Sequence, residues 1–247
     1  MGTNKQSMYD YLDQIDDILD EGSGSPDLKD TMINDIRNVL DEMRLDMPYE
    51  LTMAKSIVSQ HDKVISMAED KAKKILAGIE KENNYMIALT KLIEVMMQYY
   101  SDIHYSEHAI KVYAYTHNIA LGEKLSAEDK FILSAAAVLH DIGIPQAIKI
   151  HGSAKGEFQE KEGALLVPEL LEKAGIQDNV ERVAWLVGHH HTEVLAESDL
   201  LLQILMEADC LVNLVGEKIT TEKRMEVRRD FFKTNTGKQY ITALFNL

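Results

Sequence analysis

An apolar run over residues 131–139 ends on an adjacent histidine and aspartate, His140-Asp141, with Gly143 two residues on. No other stretch limits the fold as much. It reads as an apolar helix stopped by the glycine, and burying both polar groups at its end is costly unless they have a partner. A divalent metal ion is the simplest partner. Imidazole nitrogen and carboxylate oxygen suit Mn, Fe, Zn, Ni and Mg to different degrees, so the pair alone does not select the metal.

Three other clusters strengthen this reading. His108 sits near the start of a helix that ends at Leu121-Gly122. Gly188-His189-His190-His191-Thr192 follows the His-Asp pair, and Asp209 lies in an otherwise apolar helix, where a buried carboxylate needs a cation. This order, a histidine, a His-Asp pair, a histidine cluster and an aspartate on successive helices, resembles the HD superfamily of metal-dependent phosphohydrolases. The resemblance runs from about residue 100 to the C-terminus. It implies an all-α helical bundle in which His108, His140, Asp141 and Asp209 hold a first ion. His190 and His191 are the candidates for a second, with His189 behind them. Successive helical residues diverge by about a hundred degrees, so three consecutive histidines on an intact helix cannot all face one metal. One or two ions of Mn, Fe, Ni, Zn or Mg are expected.

Other positions carry a second tier of candidates. His104 stands where the related HD-GYP proteins place a glutamate that holds an extra metal; it is either such a ligand or an ordinary helix histidine. The family often has a lysine just after the His-Asp pair, but this chain reads Gly143-Ile144-Pro145. The segment Lys149-Ile150-His151-Gly152-Ser153-Ala154-Lys155-Gly156 reads as a loop. Its lysines and glycines either cradle a phosphate or form a solvated surface. It lacks the Gly-Lys-Ser/Thr spacing of a Walker motif. Phe158-Gln159-Glu160-Lys161-Glu162-Gly163-Ala164 resembles a word found in an uncharacterised bacterial HD subgroup. Gln159 or Glu162 would complete a second metal or hold its water; alternatively the acids serve the dipole of a helix N-terminus. Phe231-Phe232-Lys233 and the residues to Lys238 form a pocket wall or a structural turn.

Upstream, residues 8–19 carry an amphipathic helical pattern, Glu21 to Pro26 a loop, and Asp27 or Asp30 a helix cap. Pro48 marks a break. From there to residue 82, Ala54, Val58, His61, Ile65, Ala68, Ala72, Ile75 and Ile79 recur at alternating four- and three-residue steps, a coiled-coil seam. The words Leu12 to Leu19, Asp41 to Leu45 and Ala54 to Ile57 resemble bacterial ATPase-like or division-protein-like coiled coils. That resemblance implies a helical assembly module, and a homodimer through the N-terminal helices is the partner expected; the other reading is a solvated arm packed on its own domain. Glu82-Asn83-Asn84 is a joint or a polar turn in a continued helix, and the helix over residues 85–100 opens the catalytic part. The chain is therefore expected to divide into an arm, residues 1–82, and an HD-type domain, residues 83–247. No strand alternation is visible.

The net charge of −15 argues against a nucleic-acid partner. Cys210 is the only cysteine, and no apolar run reaches the roughly 18 residues of a membrane span. The start of the sequence lacks the pattern of a signal peptide. A cytoplasmic protein with no membrane partner is the expectation. The resemblance implies hydrolysis of a small phosphate ester, most simply a nucleotide, through a metal-activated water. Asp141 would orient or deprotonate that water, and Lys155 and Lys149 would neutralise phosphate charge. No Gly-Tyr-Pro follows the histidine cluster, which weighs against a cyclic dinucleotide. No Glu-Asp pair follows His140-Asp141, which weighs against an alarmone. The rival readings are a metal-bound signalling or assembly module without turnover, and a metal that only staples the bundle.

Overall fold

A computed structural model describes residues 6–22, 29–216 and 218–247, which contain no strand. Of the expected loop, residues 23–26 lie outside the described residues, as does the Asp27 cap, while Asp30 falls inside α2. The chain forms two compact units, residues 1–77 and 78–247. Helix α2 (Lys29–Tyr99) contributes to both.

In the first unit, α1 (Met8–Gly22) extends past the expected end and includes Glu21 and Gly22. It starts on a reciprocal cap: the Ser7 N–H donates to Asp10 Oδ2 (2.8 Å) and the Asp10 N–H to Ser7 Oγ (3.3 Å). Tyr11 and Val39 are buried, and the Tyr11 hydroxyl donates to Asp46 Oδ2 at 2.6 Å. That bond pushes the Tyr11 pKa up to about 12. The break expected at Pro48 is absent. Proline leaves the Arg44 carbonyl without its usual donor, a local loss of about 3 kcal/mol. Adding residues to an existing helix is cheap, and good helix formers flank the proline. Residues 51–77 are exposed on every side.

In the second unit, α2 also runs straight through Glu82-Asn83-Asn84, because that stretch is anchored. Lys81 pairs with Glu128 at 3.1 Å, Lys130 with Glu82 at 3.8 Å, and Tyr85 stacks on Phe131 with ring centroids 4.2 Å apart. Leu92 and Met96, further along α2, are fully buried.

Helices α3 (Ile103–Gly122), α4 (Ala127–Leu139), α5 (Ile144–His151), α6 (Gly156–Lys173), α7 (Val180–Val187), α8 (Glu193–Ala196), α9 (Leu200–Gly216), α10 (Thr221–Asp230) and α11 (Asn235–Phe245) follow. The organising helix is α4. Ser126 caps it by accepting from the Asp129 N–H at 3.0 Å, and every residue from Phe131 to Leu139 is buried. A helix apolar on all sides must lie inside a core, and α3, α7 and α9 pack against it. Among the described residues no single helix is long and apolar enough to cross a membrane.

Gly143 has a different task from the one its position suggests. Its backbone is right-handed helical, and it does not need positive φ. A Cβ there would collide with the Gln159 carbonyl oxygen and the Gly163 amide, so the glycine lets α6 approach the end of α4. The segment expected as a phosphate loop is largely helix: α5 holds Lys149, Ile150 and His151, ends on Gly152 at φ 68°, and leaves only a short link to α6. A proline at the start of α5 and a left-handed glycine after it are favourable helix punctuation.

Candidate metal centre

The centre lies where α3, the end of α4, the α7–α8 turn and α9 converge. His140 Nε2 is 3.2 Å from His108 Nε2, 3.2 Å from Asp141 Oδ2 and 3.7 Å from Asp209 Oδ1. His108 Nε2 is 3.0 Å from Asp209 Oδ1 and 3.5 Å from Asp141 Oδ2. Two helices, α3 and α9, and the turn that ends α4 thus bring these donors together, with Asp209 Oδ1 beside both histidines. Ligands about 2.1 Å from an ion stand roughly 3 Å from one another, which is this spacing.

A second group shares a member with the first. Asp141 turns Oδ2 toward His108 and His140, while its Oδ1 is 3.5 Å from His190 Nε2. Asp141, His190 and His191 offer donor atoms within 4.8 Å of one another, as do His108, His140 and Asp141. Beyond Asp141 Oδ1, the buried His190 Nε2 has no hydrogen-bond partner among the described residues, a state that a cation would relieve.

The backbone fixes the histidine tautomers. His140 Nδ1 donates to the Ala137 carbonyl at 2.9 Å and His190 Nδ1 to the Val187 carbonyl at 2.7 Å. Each Nε2 is thereby presented as the ligand atom. His189 also donates from Nδ1 to a carbonyl, that of Trp185 at 2.7 Å, but stacks on the Trp185 ring, centroids 4.6 Å apart. It belongs to neither donor group. The histidines need not share one helical face, because α7 ends at Val187 and residues 188–191 form a turn.

Electrostatics favour a cation. Burial pulls the His140 pKa down, but Asp141 and Asp209 more than offset this and hold it at about 9. Burial raises the Asp141 carboxyl, yet His140 and His190 bring it well below the usual range. Asp209 is likewise lowered, mainly through its bond to His108. Partial burial lowers His191, with neighbouring His190 acting in the same direction.

The remaining candidates fall around this core. Gln159 is buried and meets His191 Nε2 through its side-chain nitrogen. Glu162 faces His151, whose Nε2 is 2.9 Å from Glu162 Oε1, and is not in either donor group. Lys155 precedes α6 with an exposed side chain; the adjoining Gly156 lies against the His191 ring, where a Cβ would come within 3.2 Å. Lys149 is exposed in the last turn of α5, and His104 is exposed on α3. His117 lines a separate pocket of about 230 Å³ with Tyr85, Lys130 and Phe131. Phe231 lines a cleft of about 280 Å³ together with His190, His191, Met206, Asp209 and Asn213, while Phe232 is buried.

Several supporting residues escape a motif-based reading. Glu160 accepts the His191 N–H at 2.7 Å and the Thr192 hydroxyl at 3.3 Å, holding the histidine turn against α6. Asn213 donates to Asp209 Oδ1 at 3.1 Å. Glu207 is fully buried and accepts from Gln203, from the Lys233 and Thr234 amides and from the Thr234 hydroxyl. One weak signal was available, an i, i+4 step from Asp209 to Asn213 and from Gln203 to Glu207.

Residues 105–214 match the HD domain family. Among solved structures, a "predicted HD superfamily hydrolase" from an uncultured Thermotogales bacterium is similar, with a TM-score of 0.47 and 20% sequence identity over 64% of this chain and 84% of that one. No curated protein matches.

Proposed function

We propose that the HD domain over residues 105–214 works as a metal-dependent phosphohydrolase acting on a nucleotide or another small phosphate ester. One observation carries the proposal: Asp141 faces two donor groups with its two oxygens, Oδ2 toward His108 and His140, Oδ1 toward His190. His108, His140, Asp141 and Asp209 would hold one ion, and Asp141, His190 and His191 a second. Divalent ions so placed supply an acidified water near neutral pH and a Lewis acid for phosphoryl oxygen.

The protein's own groups do the rest. Asp141 is ionised and lies between the two donor groups, which suits it to aim an attacking water. Gln159 fixes the His191 ring, and Glu160 fixes its backbone. The cleft bordered by Met206, Asn213 and Phe231 receives the organic part of the ester. Lys155, next in sequence to Gly156, would offset phosphate charge.

The test is elemental analysis of protein purified without a histidine tag, run beside phosphate release from a nucleotide pool. One or two equivalents of a divalent metal with turnover is the expected result. Asp141→Asn should lose both the second equivalent and phosphate release. Absence of metal even after added Mn or Fe would overturn the site. Tightly held metal without turnover on any ester would instead favour a non-catalytic assembly module, a reading supported by the exposed helix over residues 51–77.

A further inference from the structure

In α2, residues 51–76 carry a heptad pattern with Leu51, Val58, Ile65 and Ala72 at a and Ala54, His61, Ala68 and Ile75 at d. The stripe is wider than this seam, since Ile57 and Val64 fall at g and Leu76 at e. No described residue of the first unit covers it: Ile57 is 62% exposed, Val58 59%, Val64 64%, Ile75 54% and Leu76 59%. The other helix of that unit, α1, is engaged elsewhere, through Tyr11 and Asp46.

We propose that this segment pairs with the same segment of a second copy of the chain. Area is the first argument. Large apolar side chains bury roughly 60–120 Å² each. At these exposures, with Ala54, Ala68, Ala72 and lysine stems added, the stripe offers on the order of 500 Å² per copy. Two copies then reach the roughly 1,000 Å² that a specific interface needs. A monomer would leave all of it in water, as one strip about 38 Å long.

Charge selects the same chain as partner. The flanking e and g positions carry Lys55, Lys71, Asp62 and Glu69, two of each sign, so no block of like charge opposes a second copy. Lys63, Asp70, Lys73 and Lys74 lie away from the seam. Residues 51–77 together hold five lysines and three acids, a net +2, while residues 1–50 carry a net −9. The stripe is thus where two copies of this acidic protein repel least.

The experiment is light scattering on the full chain at tens of micromolar. The wild type should have twice the chain mass. Val58→Glu with Ile65→Glu should halve it, while Lys63→Glu on the outer face leaves it doubled. Metal content, read on every sample, reports that the HD unit remains folded. A wild type with the mass of one chain would overturn the proposal, as would a doubled mass that survives the Val58/Ile65 change.

Discussion

At the scale of the residue, the centre depends on groups that never touch an ion. Asn213 is the clearest case. It is exposed and does not pack in the core, yet its side-chain amide donates to Asp209 Oδ1, the oxygen nearest His108. Removing such a partner typically costs 10–100-fold in metal affinity. Asn213→Ala should therefore weaken metal binding by about that factor in a chelator competition, with melting temperature of the metal-free protein nearly unchanged. Equal affinity in the two proteins would show that Asp209 is oriented by its helix alone. His108, His140, Asp141 and Asp209 were legible because each is a polar group in an apolar setting, where chemistry leaves few explanations. Asn213 and Glu160 were not, because an amide or acid on a helix surface is the commonest thing a helix carries.

At the scale of the element, contacts between helices decide what the chain alone leaves open. Gly143 reads as a helix stop, but its requirement is set by the Gln159 and Gly163 backbone on another helix. Periodicity contains no information about such a contact. Gly143→Ala should push α6 from the end of α4, at about 1–3 kcal/mol for an overpacked core. A lower melting temperature together with lower metal content is expected; an unchanged melting temperature would mean the two helices move apart freely. Glu207 makes the complementary point. It draws the start of α11 onto α9 through the Lys233 and Thr234 amides. Glu207→Ala strands those donors and the Gln203 amide, each worth roughly 1–3 kcal/mol when left buried and unpaired. The urea midpoint should fall by an amount equivalent to about 3 kcal/mol or more at constant m-value, and a drop under 1 kcal/mol would show that water replaces the carboxylate. The all-α class and the helix over residues 103–122 were readable from pattern. The continuity of α2 through Pro48 was not, and at Glu82-Asn83-Asn84 a continued helix was one of two readings, which ion pairs and ring stacking on α4 decide.

At the scale of the whole molecule, protons and metal compete for one site, and stability versus pH records the competition. In the metal-free protein His140 stands at about 9, above its ordinary 6.5. A raised histidine stabilises fully below pH 6.5, and that contribution is lost as pH climbs toward 9. Asp141 and Asp209 are lowered from 3.8, so their contribution is present above that pH and lost as pH falls below it. The metal-free HD unit should therefore be most stable between about pH 4 and 6.5, and less stable at pH 9 than at pH 6. A divalent ion reverses the upper half of this profile, because ligation requires the His140 Nε2 lone pair, which protonation removes. At a hundredfold excess over its Kd a ligand adds about 2.7 kcal/mol, equivalent to roughly 5–10 °C for a unit of this size. Calorimetry at pH 5.5 and pH 8.5, with and without Mn, should show a metal-induced shift of about that size at the higher pH and a much smaller one at the lower. Because the donors all lie in residues 78–247, any separate transition from residues 51–77 should not respond to metal. A metal-induced shift equal at both pH values would mean that the ion displaces no proton from His140, and that the carboxylates around it serve the fold alone.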